Sequence, residues 1–522
     1  MPPSNMPFGD PDGSRADLAN SMNKFVTFQD ESVWGGIAME SNDFSARVIA
    51  GRKGSGKTIY LRRLRASSHE ENSIYGESYL DDIQQNIPNT ELIVKFCQWF
   101  KPVDLTEKWR ELWRRAILRS LFTHIVHKKQ LSVFVSDNEK KKLNETYKEI
   151  LPFAPTPLSI YSQVIDIIHQ HRSGRHFTIF CNSPLWESLE YDLGEILKTM
   201  PPVCFFVDAV DDEFAHAPMY WLRCQKGLFY QVMRFLRDSR LGSRLHIFIC
   251  IRDLVLASVF RSEHQTRYRD QPHIRILKWD KESIKLLLRA KVFTLEKHFY
   301  YDQSSSGNSV SDWLGTDFIE NGKRNIFEPI ESYILRHTRL LPRDIIIIGN
   351  RICSEIKKNH EFNMNLSPAA IIKKAVHECT KIFAAEQIAI CGNHLSSDMM
   401  PEHAAAHEYS GIYTSEKEYV EDISHKLIKL LKELESDMFF ENDIRRLSTL
   451  STRLFGDTWK PFNVLWQHGL IGYIDEMDLE PKFYSETHLD HFLLPKSNRG
   501  YIMHSCLCDY LGPQKLCSLL LF

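Results

Sequence analysis

Short, unbroken apolar runs punctuate the first half of the chain, separated by longer stretches in which apolar residues recur every three or four positions. The unbroken runs suit strands buried on both faces, and the wider period suits helices that cover them. Strands are expected at 46–50 (ARVIA), 92–96 (LIVKF), 177–180 (FTIF), 203–207 (VCFFV), 245–251 (LHIFICI) and 274–277 (IRIL). Helical patterns lie at 58–65, 184–199 and 219–238. A mostly helical region at about 104–172 carries Trp109, Leu112, Trp113, Ile117, Leu118 and Leu121 at helical spacing. Alternation of this kind predicts an α/β fold with a parallel sheet flanked by helices.

Beyond residue 280 the strand signal fades. Helices are expected at 281–297, 328–337, 342–358, 367–390 and 415–436, with the Ser-rich stretch 303–312 as a loop. Residues 437–513 read as short helices followed by two hairpin strands, 470–474 and 499–504, an order that suits a winged helix. The first 20 residues have no apolar period and are rich in Pro, Gly, Ser and Asp, so they read as a mobile tail. The expected division is a tail at 1–20, a nucleotide-binding core at 21–280 with a helical insertion at about 104–172, a helical lid at 281–400, and a helical and winged-helix-like domain at 401–522.

The strand at 46–50 runs directly into Gly51, Arg52, Lys53, Gly54, Ser55, Gly56, Lys57 and Thr58, which fits G-x-x-x-x-G-K-[ST] without a mismatch. Glycines let the backbone wrap an anion, and the helix that follows presents its positive end to it. Lys57 is expected to bridge the β and γ phosphates of a nucleotide, and the Thr58 hydroxyl to ligate magnesium. A second carboxylate is needed for the metal. Asp208 supplies it at the C-terminal end of VCFFV, the edge where open α/β sheets bind ligands. Asp211, Asp212 and Glu213 follow, and one of them is expected to orient the attacking water. Arg252, at the end of the next buried run, is a candidate γ-phosphate sensor, with a salt bridge to Asp253 as the plain alternative. Arg343, behind Pro342 at a helix start, is a second candidate sensor.

In that order, GRKGSGKT, FFVDAVDDE, IFICIRD and TRLLPRDI, followed by a winged-helix-like tail, resemble the AAA+ and STAND group of P-loop ATPases. The nearer likeness is to bacterial members of that architecture, some of which look like parts of antiphage defence or signalling systems. The likeness covers roughly residues 30–350 by motif and the rest by architecture. It implies ATP and Mg2+ as ligands, nucleotide-driven conformational change or assembly, and the C-terminal domains as lid and partner-binding module, through a second copy or a protein partner. STAND sequences usually carry Asp-Glu where this chain has Asp211 and Asp212, which puts hydrolysis in question more than binding. The alternative is a nucleotide-switched DNA-binding protein resembling origin-recognition-type initiators, with little hydrolysis; a P-loop kinase lacks any second substrate motif.

Bulk properties narrow the partners. Lys plus Arg total 65 against 67 Asp plus Glu, so global charge gives no argument for nucleic acid or an anionic membrane. The segment PFNVLW at 461–466, where a winged helix would carry its recognition helix, is apolar, which favours protein contact over DNA. No apolar run approaches the roughly 20 residues that span a bilayer, and the eleven cysteines lack paired zinc spacing, so a reducing cytoplasm is expected. His403 and His407, at helical spacing without a third ligand, read as a solvated helix, and Trp109 and Trp113 read as core.

Overall fold

The computed structural model of the chain describes residues 6–16, 47–70, 74–75, 89–151, 159–208, 220–238, 240–241, 244–260, 265–268, 271–321, 326–399, 416–456, 460–477, 479–484, 493–513 and 516. Strands β1 (Val48–Gly51), β2 (Ile74–Tyr75), β3 (Val203–Val207), β4 (Leu245–Arg252) and β5 (Ile274–Leu277) form one sheet in the order β2-β3-β4-β1-β5. Every pairing in it is parallel, with four strands as the body and two-residue β2 at one edge. The fold is α/β, with helices on the sheet.

Alternation along the strands separates two cores. Ile49, Cys204, Phe206, Phe248, Cys250 and Leu277 face Tyr60, Leu61 and Leu64 of α1 (Lys57–Glu70), and Phe206 stacks on its cross-strand partner Phe248 at 5.0 Å. Their neighbours Val48, Ala50, Val203, Phe205, Ile247 and Ile249 join the larger core on the other face. From β1 the chain crosses to the far edge, returns through β3 and β4, and passes β1 to reach β5. The C-terminal ends of β1, β4 and β3 therefore open side by side, at a reversal of strand order.

Two expected strands are helices. LIVKF lies in α2 (Asn89–Gln98), and FTIF lies in α3 (Gly174–Cys181), whose N-terminus is capped by Ser173 Oγ accepting from His176 N–H at 3.4 Å. A run of four or five apolar residues is compatible with either state, and here the cap and the neighbours decide. Phe96 meets Phe177 at 5.2 Å and Trp109 at 4.8 Å, so both segments wrap the buried tryptophans rather than extending the sheet. Trp109 and Trp113 are core, as expected, and Trp113 Nε1 donates to Cys224 O at 3.1 Å.

The third departure is a hairpin, β6 (Phe318–Asn321) with β7 (Ile326–Pro329), in a region read as strand-poor. A glutamate interrupts its apolar pattern, yet Glu328 is fully buried because Arg336 grips it through Nε at 2.8 Å and Nη2 at 2.9 Å. The fourth is the start of the chain. Residues 6–16, expected to run free, are seated on the rest of the protein, with Phe8 at 0% exposure.

Helices follow from residue 281: α4 (Lys281–Phe293), α5 (Pro342–Glu361), α6 (Pro368–Met399) and α7 (Glu416–Lys432). A second sheet, in the order β10-β9-β11-β8, pairs β9 (Ile471–Ile474) antiparallel with β11 (Tyr501–Met503), matching the expected hairpin strands. Strands β8 (Met438–Phe439) and β10 (Pro481–Lys482) complete it. Just past β11, buried His504 links this sheet to the helical region through Nε2 and Thr338 O, 3.0 Å apart. Burial lowers its pKa from 6.5 to about 4, against the opposing pull of the Thr338 carbonyl. The unfolded chain thus takes up a proton that the folded chain resists. Stability contributed by neutral His504 is intact above about pH 6.5 and declines by a few kcal/mol as pH falls towards about 4. Urea midpoints measured across that window should fall in the wild type, with a shallower decline in His504→Gln.

The ten described cysteines are buried and form no disulfide with one another, His403 and His407 lie outside the described residues, and among the described residues no helix is long and apolar enough to cross a membrane.

Candidate functional site

Strand β1 ends at Gly51, and after five intervening residues the chain enters α1 at Lys57. The turn requires φ of +88° at Gly54 and +94° at Gly56, a region that side chains with a Cβ rarely enter. Lys57 is 6% exposed, and its Nζ donates to Gly51 O at 2.9 Å and Arg52 O at 3.0 Å. The ammonium is thereby held over its own loop, beside the positive end of α1.

Asp208 follows β3 directly and is 8% exposed. Its Oδ2 accepts the Thr58 hydroxyl at 2.7 Å, although 150 residues separate the two. Strand β4 lies between β1 and β3, so the two groups reach each other from across an intervening strand. At the end of β4, Arg252 pairs in register with Gly51, and its guanidinium lies 4.9 Å over the Trp221 ring, while its N–H donates to Gln225 Oε1 at 3.2 Å. Asp253 does not emerge as a surface partner for it. Asp253 is buried, and burial raises its carboxyl pKa despite the nearby cations Arg52 and Lys57.

Arg343 reaches the loop from the first turn of α5. Its backbone N–H donates to Gly54 O at 3.3 Å, and its guanidinium lies 3.8 Å from Glu386 of α6, which also holds Lys53 at 3.3 Å. Both loop cations on this flank are thus tied to one carboxylate. Trp279 Nε1 donates to Ser55 O at 2.9 Å, and Ser55 Oγ is buried with no hydrogen-bond partner among the described residues.

Arg52 joins the loop to distant parts of the chain. It donates through Nη1 to Arg339 O at 3.3 Å and through Nη2 to His468 O, and burial lowers its pKa even with Asp253 opposing. His468 is itself wired to α6: its Nδ1 lies 3.0 Å from Gln387 Nε2 and its Nε2 lies 3.1 Å from His394 Nδ1. Desolvation, with His394 and Arg52 adding to it, holds the His468 ring pKa well below the usual 6.5, so the ring is neutral.

The structure therefore brings Gly51 to Thr58, Asp208, Arg252 and Arg343 to one sheet edge, whereas Asp211, Asp212 and Glu213 lie outside the described residues. The residues not foreseen are Glu386, Gln387, His468 and Trp279. None carries a local motif, and their partners lie up to 416 positions away.

No protein-family model matches this chain, and no curated protein matches it significantly. Among the described residues no three His, Cys, Asp or Glu side chains cluster as a metal cage. The donor set at the loop is of a different kind: one hydroxyl, one carboxylate and an ammonium beside a helix N-terminus. Such a set fits a polyanion carrying a hard divalent cation, for which the anion and water supply most of the ligands.

Proposed function

We propose that this chain is a P-loop ATPase of the AAA+/STAND kind, which binds ATP with Mg2+ and hydrolyses it to drive a conformational or assembly switch. The observation that carries the reading is the 2.7 Å contact between Thr58 Oγ1 and Asp208 Oδ2 beside buried Lys57. A threonine hydroxyl and a carboxylate meeting over a glycine-turned loop is the arrangement that holds Mg2+ against a nucleotide's β and γ phosphates. Thr58 and Asp208 would hold the metal, which supplies charge neutralisation at the transferring phosphoryl group. Lys57 is placed to bind the same phosphates, and the Ser55 hydroxyl, which has no hydrogen-bond partner among the described residues, supplies one more polar group in the loop. Arg252 and Arg343 are the cations available to sense them, and the acid that orients water is drawn from Asp211, Asp212 and Glu213.

The switch reading rests on Arg52, one residue of the loop bonded to the region after β7 and to the turn before β9. Movement of the loop on binding nucleotide is felt at once by the helical lid (α4 to α6) and the winged-helix-like domain. By its resemblance such a switch would act in a bacterial defence or signalling assembly with a second copy or a protein partner, in the reducing cytoplasm that the unpaired cysteine spacing suits. A DNA-binding winged helix fits less well. In Pro461–Gln467, the segment that would face a major groove, Phe462, Val464, Leu465, Trp466 and Gln467 are buried.

The test is ATP turnover against Mg2+ concentration in the wild type, Thr58→Ala and Asp208→Asn. Both variants should need at least ~10-fold more Mg2+ for half-maximal turnover, the usual minimum cost of disturbing a metal's surroundings. Identical curves for all three proteins would remove the basis of the reading.

A further inference from the structure

The first described segment crosses from the lid to the loop helix. At one end Phe8 is fully buried, with its ring 5.1 Å from Trp313. Its seat is floored by Gly349 of α5, where an added Cβ would lie 2.3 Å from Phe8 Cδ1. The neighbouring Asn350 reads the backbone on both sides of it: Oδ1 accepts from Phe8 N–H at 2.9 Å, and Nδ2 donates to Gly9 O at 2.9 Å. Asp10 and Asp12 then turn the chain, accepting from Asp12 N–H at 2.8 Å and Ser14 N–H at 3.0 Å. At the other end Arg62 of α1 donates through Nη1 to Gly13 O at 2.6 Å and to Ala16 O at 2.8 Å. Gly13 lies against the first turn of α1, where an added Cβ would be 3.2 Å from Thr58 Cβ.

Helix α5 carries two of the lid's attachments, beside the Lys53–Glu386 and Arg52–Arg339 contacts: one to the loop and one, through residues 6–16, to α1. Arg343, in its first turn, bonds Gly54 O, and Gly349 and Asn350, about two turns on, hold Phe8. A helix moves as a unit over such a length, so the lid cannot swing from α1 unless Phe8 leaves its seat or the Arg62 bonds break. Neither contact touches the phosphate-binding groups, although one ends beside Thr58.

We propose that residues 6–16 are a clasp that holds the lid against α1 and sets how fast bound nucleotide leaves, with Phe8, Gly349, Asn350 and Arg62 as positioning residues. The inference rests on the nucleotide reading above. Its logic is that a ligand between the lid and α1 escapes only when the two part, and the clasp spans that gap.

The experiment is stopped-flow release of N-methylanthraniloyl-ADP, chased with excess unlabelled ATP, from the full-length chain and its variants. Phe8→Ala empties the seat, Gly349→Ala evicts the ring without altering the clasp, and Arg62→Ala frees the other end. Each should release nucleotide roughly ten-fold or more faster while the association rate stays within two-fold of the wild type, as expected when only the exit barrier changes. Phe8→Leu should recover most of the wild-type retention. Should the core variants fail to fold, Arg62→Ala, at a half-buried surface position, decides alone. Wild-type release rates in the folded variants would overturn the clasp, and failure of the wild type to bind the probe would overturn the nucleotide reading and the clasp with it.

Discussion

Lys57→Ala is expected to lower ATP turnover by ~100- to 1,000-fold, the range seen when one preorganised group that stabilises transition-state charge is removed. The side chain is 6% exposed and fixed by two loop carbonyls, Gly51 O and Arg52 O. Its charge is therefore already in place when phosphate arrives, and little reorganisation is spent at the reaction step. Alanine removes that charge and also strips both carbonyls of their donor, so the loop itself loosens. Lys57→Arg should not restore activity, because a planar fork cannot take the same two contacts and face phosphate from the same place. Phosphate release at saturating Mg2+ and ATP measures the effect, with Lys198→Ala, a 59%-exposed surface lysine, as the control. Turnover within a few-fold of wild type in Lys57→Ala would mean that the chain does not use this loop for catalysis.

Asp344→Ala is expected to destabilise the protein by about 3–5 kcal/mol, the cost of leaving a buried charge without its partner. Asp344 is fully buried, and it accepts from Arg339 through the backbone N–H at 3.0 Å, Nε at 2.9 Å and Nη2 at 2.8 Å. Burial by itself lowers the pKa of Arg339, and the Asp344 carboxylate outweighs it, leaving the guanidinium above its ordinary value. Removing the acid strands that cation where water cannot reach it. Urea unfolding followed by circular dichroism measures the loss, and the double variant Arg339→Met with Asp344→Leu should recover much of it, since an apolar pair of similar volume carries no desolvation cost. A loss below 1 kcal/mol in the single variant would show that the pair is open to solvent. Because the carbonyl of Arg339 also accepts from Arg52, the same variant should loosen one of the loop's bonds to the helical region.

Legibility in the sequence followed the range of the forces involved. The runs at 203–207, 245–251 and 274–277 are strands, as apolar, β-branched and aromatic stretches favour, and the structure places them within a residue of their expected bounds. The loop was legible because a tight turn with two positive φ angles needs glycine at fixed places. Short runs failed. LIVKF and FTIF became helices since a run that short fits either state, and Ser173 and the aromatic neighbours around Trp109 made the choice. The hairpin at 318–329 was hidden by Glu328, whose partner Arg336 turns a polar break into a buried pair.

The sequence by itself determined the glycine-turned loop after β1, the acid at the end of VCFFV, the parallel α/β sheet and the antiparallel strands near the C-terminus, because each depends on neighbours a few residues away. Only the tertiary structure decided that Thr58 meets Asp208 across β4, that Arg343 and Lys53 share Glu386, that Arg52 is bonded to the turn before β9, and that Phe8 is locked on α5. Those contacts join residues 43 to 416 positions apart. At such separations no local period or spacing constrains which side chain meets which, and the pairing is fixed only when whole elements pack and each buried polar group takes the partner that the fold leaves within reach.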